Sequence, residues 1–190
     1  MRVVAGRLKG RTLQGPRTDS IRPTSDRLRE TIFNILSHGL GKHGIDDPVT
    51  DARVLDLFAG TGALAIEALS RGAAYAVMVD EGTEARGLQR GHVEALGLGG
   101  ITRILRRDAT KLGPVTPFEP FTLIFCDPPY GKGLGERALL SAIEGGWLAP
   151  GALVVLEERA GLAIALSPPL ELLDQRTAGE GQILIGIVRD

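Results

Sequence analysis

An apolar run, Val54-Leu-Asp-Leu-Phe-Ala, breaks at Gly60 and Gly62 and resumes at helical spacing through Leu64, Ala65, Ala68 and Leu69. That pattern specifies a strand, a tight glycine turn and a helix in immediate succession. A glycine turn lets backbone approach a ligand closely, and the helix start behind it offers unpaired N–H groups. The stretch therefore predicts a cofactor site, and a dinucleotide or another nucleotide-like ligand fits it equally well.

From Arg53 onward, strand and helix patterns alternate. Strands are expected at 53–58, 75–80, 101–106, 121–126 and 152–157, and helices at 62–71, 83–96 and 134–146. Gly72, Gly97, Gly99 and Gly100 mark helix ends. This alternation implies an α/β fold with a parallel sheet covered on both faces. The rhythm then changes, because 169–176 and 182–188 read as two strands joined through Ala178-Gly-Glu-Gly181 with no helix between them. A hairpin there puts an antiparallel strand into the sheet.

The first residues are β-prone pieces interrupted by Gly6 and Gly10, which predict a small β-hairpin over 2–13. Pro16 and Pro23 keep the following chain extended. Thr24, Ser25 or Asp26 can cap a helix whose apolar positions Leu28, Ile32, Ile35 and Leu36 share one face. The organisation expected is one domain over 1–190, with residues 1–38 as a basic N-terminal extension packed on it.

A length of 190 residues suits a single core. No apolar run is long enough to span a membrane, and the start lacks the apolar segment of a secretory signal. Cys126 is the only cysteine, which excludes an internal disulfide and a cysteine-built metal site; no metal is expected. These features predict a cytoplasmic, monomeric protein. The net charge of −1 hides an asymmetry: residues 1–30 carry eight basic side chains against three acidic ones, so that segment is +5 and the remainder −6. A basic arm on an acidic body suits a polyanionic partner, nucleic acid first, although a solvated charged terminus would look the same.

Gly60-Thr-Gly-Ala-Leu-Ala65 satisfies the dinucleotide pattern, and Asp80 follows Gly60 by twenty residues. Asp56 weighs the other way. A carboxylate within ~4–6 Å of a pyrophosphate opposes it by about one to several kcal/mol. A ligand with an ammonium and a sulfonium is attracted instead, and S-adenosylmethionine carries both. Asp80 can accept hydrogen bonds from ribose hydroxyls. Asp108 and Ala109, just after the third strand, sit where ligands collect in such sheets and can meet an adenine edge. A solvated loop acid is the plainer alternative for Asp108.

The strand Phe121–Cys126 delivers Asp127-Pro-Pro-Tyr130 to the same sheet edge. Successive prolines donate no N–H and hold the backbone stiff. They leave carbonyl acceptors, a carboxylate and an aromatic ring in fixed relation. Asp127 and the Pro128 carbonyl can accept the two hydrogens of an exocyclic NH2 while Tyr130 stacks on its ring. A nucleobase amine is a poor nucleophile because its lone pair is drawn into the ring. Gripping both hydrogens turns that nitrogen toward sp3, so catalysis is mostly positioning and electrostatics. A turn that merely ends a strand is the alternative. Cys126 lies beside no histidine and reads as a small buried residue. His38, His43 and His92 show no metal spacing and read as surface or capping residues. Glu157 and Glu158 either border the site or end a strand in solvent, and Trp147 reads as core.

Asp56-Leu-Phe-Ala-Gly-Thr-Gly62 and Asp127-Pro-Pro-Tyr130 resemble the motifs of class I amino-methyltransferases that act on nucleic-acid bases. Arg22-Pro-Thr-Ser-Asp-Arg-Leu-Arg-Glu30 and the glycine- and arginine-rich start resemble the RsmD-type ribosomal RNA guanine-N2 methyltransferases. The resemblance implies a Rossmann-like, seven-stranded, mostly parallel sheet with an antiparallel C-terminal strand. It implies S-adenosylmethionine as donor and the N2 of one guanine of small-subunit (16S) ribosomal RNA, free or in an assembled subunit, as acceptor. Carried over, Asp56, Phe58, Gly60 and Gly62 line the methionine and ribose part, Asp80 the ribose, and Asp108 and Ala109 the adenine. Asp127, Pro128, Pro129 and Tyr130 hold the guanine, while Arg22, Thr24 and Arg27 meet RNA or shape the pocket floor. After the second strand the family has a glutamate with a further acid two residues on, where this chain has Asp80-Glu-Gly-Thr. The end, Gly179-Glu-Gly-Gln-Ile-Leu, matches the family's last hairpin only loosely. An adenine-N6 methyltransferase acting on DNA or RNA, and a nucleic-acid-binding module without catalysis, are the competing readings.

Overall fold

The computed structural model describes residues 1–190. Its frame is one sheet of seven strands: β1 (Arg53–Leu57), β2 (Tyr75–Val79), β3 (Thr102–Leu105), β4 (Phe121–Cys126), β5 (Leu148–Arg159), β6 (Leu170–Ala178) and β7 (Gly181–Val188). Their spatial order is β3-β2-β1-β4-β5-β7-β6. The pairs from β3 to β5 are parallel, and β7 runs antiparallel to both β5 and β6. The antiparallel C-terminal strand expected from the missing helix is present. The chain steps outward from β1 to β3 and then returns to place β4 on the other side of β1. That reversal opens a crevice at the carboxyl ends of β1 and β4, where ligands bind in open α/β sheets.

Strand side chains alternate between two apolar layers. Val54, Met78, Phe125 and Val155 point to the face covered by α1 (Asp26–Asn34), α2 (Ala63–Ser70) and α3 (Thr83–Leu96). Leu55, Val79, Ile124 and Leu156 point to the opposite face, covered by α4 (Leu134–Glu144) and Trp147. Each fully buried Leu or Phe contributes about 1.5–3 kcal/mol. Trp147 is fully buried with its Nε1 donating to Gly113 O at 2.8 Å, so it is core as expected.

Every residue of α2 is buried, which a helix at a sheet surface achieves only if something covers its outer side. The N-terminal segment does so. The N–H groups of Val4 and Ala5 each donate to the Glu67 carboxylate at 2.9 Å, and Arg7 N–H donates to Ser70 O at 2.8 Å. The expected N-terminal hairpin is reduced to a short antiparallel contact: one bridge, Arg2 to Thr12, flanked by Val3 N–H to Arg11 O and Leu13 N–H to Met1 O, both at 2.9 Å, before the Val4 and Ala5 N–H groups turn to α2. Glu67 also pairs with Arg29 and Arg71, so the most buried cation of the basic segment is structural.

Candidate active site

Three features fix the shape of the loop after β1. Phe58 takes a left-handed backbone at φ 57°, a conformation that costs a non-glycine residue about 1–2 kcal/mol. Gly60 donates its N–H to Asp80 Oδ2 at 2.9 Å, tying the loop to the end of β2. Gly62 caps α2 at φ 81°, and a Cβ there would stand 2.7 Å from Met78 Sδ. From behind, Gln89 Nε2 donates to Gly60 O at 2.8 Å and His92 meets Thr61 O at 2.9 Å. His92 is buried and also receives Gln14 N–H at 2.8 Å, so it is an internal brace where the sequence predicts a surface or capping residue.

A cavity of about 590 Å³ lies against this loop. Phe58, Gly60, Asp80 and Glu84 line one side, Asp127, Pro128, Pro129 and Tyr130 another, and Ser20, Ile21, Arg22 and Thr24 a third. The expected donor loop and the expected amine grip therefore share one space, although they are far apart in the chain. Its size falls within the range of small-molecule sites.

The N-terminal segment is part of the wall. Ser25 caps α1 by accepting Leu28 N–H, which leaves its neighbour Thr24 to donate its hydroxyl to Asp127 Oδ2 at 2.8 Å. The Arg22 guanidinium lies 4.3 Å from the Tyr130 ring centroid. Glu84, in the first turn of α3, receives the N–H and hydroxyl of Thr18 and the Ser20 hydroxyl; the Thr18 hydroxyl pulls its carboxyl below the usual range. Arg27 lies apart from this cavity and lines a second one of about 420 Å³, which shares Arg22 and Tyr130 with the first.

Several expected residues sit elsewhere. Asp56 does not reach the cavity wall; it is buried at the end of β1, with Oδ2 accepting Ala65 N–H at 3.2 Å and Oδ1 unpartnered. Burial pushes its carboxyl well above the usual range. The sequence-based case against a pyrophosphate, which needed Asp56 charged and facing the ligand, is thus carried instead by Asp80, Glu84 and Asp127 on the cavity wall. Asp108 and Ala109 do not line the cavity either. Asp108 caps a short turn by accepting the N–H and hydroxyl of Thr110, bonds that hold its carboxyl low, and Ala109 is buried.

Sequence alone leaves Glu157 and Glu158 undecided; both are buried, at 4% and 3% exposure. The Tyr130 hydroxyl donates to Glu157 Oε1, and Gly131 N–H donates to Glu158 Oε1 at 3.0 Å. Burial, and after it the neighbouring Asp127, push Glu157 up to about 8. Burial, then the Glu157 contact, raises the Tyr130 phenol above its ordinary value. The signal for Glu157 is an apolar run ending in two acids. Ile21 and Glu84 carry no signal, since neither belongs to a motif. Cys126 is buried and burial raises its thiol, which rules out an activated nucleophile there.

A cavity lined by Asp80, Glu84 and Asp127 suits a cationic ligand. In strand order, in the antiparallel β7 and in the glycine loop after β1, the fold is that of the class I methyltransferases. A family model described as "Conserved hypothetical protein 95" matches residues 1–187. The Ribosomal RNA small subunit methyltransferase D of Escherichia coli (strain K12) is 35% identical over 159 residues, covering 83% of this chain and 74% of that protein. The protein of the same name from Haemophilus influenzae is 29% identical, covering 94% of this chain and 89% of that one. The solved structure of Escherichia coli yhhF aligns with a TM-score of 0.80 at 30% identity, over 100% of this chain and 98% of that one. The chain belongs to this RsmD-type family of S-adenosylmethionine-dependent methyltransferases. No helix is long and apolar enough to cross a membrane.

Proposed function

We propose that this protein transfers a methyl group from S-adenosylmethionine to the exocyclic N2 of a guanine in small-subunit ribosomal RNA. We further propose that it acts in the cytoplasm as one domain over 1–190, with residues 1–38 as its basic extension. The observation that carries this reading is the shared cavity, in which Asp127-Pro-Pro-Tyr130 faces the Gly60 loop and Asp80. The names of the relatives support the ribosomal RNA acceptor.

Gly60, Gly62, Phe58 and Asp80 would hold the donor, with Asp56 bracing the loop from behind through its bond from Ala65 N–H. Asp108 and Ala109 are proposed for its adenine edge. The donor supplies an electrophilic methyl carbon on sulfur. The chain's own part is to present the amine. Asp127 and the Pro128 carbonyl accept its two hydrogens, and Tyr130 fixes the base plane. As the nitrogen lone pair forms the new N–C bond, positive charge grows on nitrogen and the Asp127 carboxylate offsets it. A bound donor would keep the electron pair of its S–C bond on sulfur. One amine hydrogen, already bonded to Asp127, leaves as the proton.

Arg22 and Thr24 are proposed to meet RNA at the cavity mouth, and Arg27 to do so beside the second cavity. In the free protein Thr24 bonds Asp127 and Arg22 covers Tyr130, so both groups must yield when a base enters. The test incubates the protein with radiolabelled S-adenosylmethionine and naked ribosomal RNA, assembled small subunits or DNA, followed by nucleoside analysis. Label on guanine N2 is the expected result. Label on adenine N6 would return the competing base, and no label on any acceptor would favour a binding module.

A further inference from the structure

Glu157 lies near the carboxyl end of β5 beside the amine grip, and the reaction outlined above does not use it. Its Oε1 receives the Tyr130 hydroxyl, while Glu158 receives Gly131 N–H at 3.0 Å. Two successive acids of one strand thus hold two successive residues of the β4–α4 loop. The next strand leaves room for this pairing. A Cβ at Gly181 on β7 would stand 2.5 Å from Glu157 Oε1 and 2.9 Å from the Tyr130 hydroxyl oxygen. Tyr130 lines both cavities, with Arg22 against one face of its ring, so the ring is the partition between them. Only the Glu157 contact fixes the ring at its hydroxyl end.

We propose that Glu157 is a positioning residue of the acceptor pocket: its carboxyl anchors the Tyr130 hydroxyl and so sets the ring against which the acceptor base lies. The inference rests on the methyl-transfer reading above.

A buried acid needs a reason to stay, since burying an unpaired charge is costly. The groups facing Glu157 are Tyr130 and Asp127 from the β4–α4 loop and Arg22 from the N-terminal segment; Arg27 and Glu180 share its cavity. The adjacent Asp127 favours the neutral form, and a Glu157 near 8 keeps its proton at neutral pH. Neutral Glu157 accepts from Tyr130 through one oxygen and has a hydrogen for Asp127 on the other. Deprotonation strengthens the bond from Tyr130 but places two carboxylates side by side, and their repulsion displaces Glu157 together with the ring it holds. Glutamine offers the same acceptor and donor as the neutral acid. Alanine offers neither.

The full-length protein and its Glu157→Gln and Glu157→Ala variants are compared for methyl transfer to the ribosomal RNA acceptors across neutral and alkaline pH, with S-adenosylmethionine binding followed by calorimetry. Glu157→Ala is expected to lose about ten- to a hundred-fold in kcat through misplacement of the base, with donor affinity unchanged. Glu157→Gln is expected to keep near-normal kcat at neutral pH. The wild-type decline in kcat as pH rises through about 8 is expected to disappear in Glu157→Gln. The chain has two tyrosines, so alkaline absorbance titration in a Tyr75→Phe background reads Tyr130 alone, and Glu157→Ala should lower its pKa. Equal loss in the Gln and Ala variants, unchanged kcat in Glu157→Ala, or an unshifted phenol titration each overturns the proposal. Absence of transfer by the wild type to any RNA or DNA overturns the reaction itself, and the proposal with it.

Discussion

The Thr24 hydroxyl donates to Asp127 Oδ2 at 2.8 Å, joining residues 103 positions apart in the chain. The bond exists because Ser25, and not Thr24, caps α1. It couples the start of that helix to the proposed amine grip. Replacing Thr24 with Val keeps the shape and removes the donor. The expected result is a loss of about 1 kcal/mol in unfolding free energy, as for one hydrogen bond. Because Thr24 releases Asp127 when a base enters, kcat and donor binding should stay near normal. Urea denaturation and steady-state methyl transfer check the two together.

Asp127→Ala should reduce methyl transfer by about 10²–10³-fold while S-adenosylmethionine still binds. The carboxylate is assigned to the acceptor amine and not to the donor. Radiolabel incorporation set beside calorimetric binding tests this separation, and near-normal turnover would remove Asp127 from the reaction.

The basic residues of the N-terminal segment should divide into two groups. Arg22 and Arg27 are exposed. Replacing either with Ala should weaken RNA binding and flatten the slope of log K against log salt by about 1 for each phosphate no longer neutralised. Arg29 is fully buried and pairs with Asp26 and Glu67. Arg29→Ala should instead cost about 1.5–3 kcal/mol of stability, because it removes a fully buried cation from Asp26 and Glu67, although Glu67 keeps Arg71 and the Val4 and Ala5 N–H groups. Salt-dependent filter binding and thermal melts separate the groups.

Gly62→Ala introduces a Cβ 2.7 Å from Met78 Sδ at a residue whose φ is 81°. Left-handed backbone alone costs a side chain about 1–2 kcal/mol, and overpacking adds about 1–3 kcal/mol. A melting point lower by several degrees and a much weaker donor affinity are expected. Calorimetry reads both.

Asp56 carries a raised carboxyl pKa in the folded protein because of its burial. The folded state therefore holds a proton that the unfolded chain has released, so this residue's contribution to stability is complete below the ordinary aspartate range and is lost as pH rises above it. Asp56→Asn removes the dependence. Its melting point should exceed the wild type's at neutral pH by about 2 °C or more, and the gap should close as pH falls below the ordinary aspartate value of 3.8. The same variant should bind S-adenosylmethionine less tightly. A gap that stays constant with pH would contradict the burial account.

The sequence is legible where local pattern and global fold agree. Apolar runs at 53–58 and 121–126 form β1 and β4 to within a residue, since strands buried on both faces must be continuously apolar. The missing helix before the last strand correctly implies antiparallel β7. The N-terminal hairpin shrinks to one bridge and its flanking bonds because the Val4, Ala5 and Arg7 N–H groups have partners in Glu67 and Ser70, which no local pattern reveals. His92, and Arg29 within the basic arm, give no local sign of being internal for the same reason: their partners lie in distant segments.

By itself the sequence determined the order of strands and helices, the glycine turn at Gly60 and Gly62, and the stiff Asp127-Pro-Pro-Tyr130 segment. Backbone propensity and the period of apolar residues specify such features within a few residues of chain. Tertiary structure alone decided which charges face the cavity. Asp56, which looked like the ligand's counter-charge, went inside. Asp80, Glu84 and Asp127 took the wall, and Glu157 closed on Tyr130. Burial and proximity set the state of a carboxyl group, and both depend on neighbours that come from the whole chain.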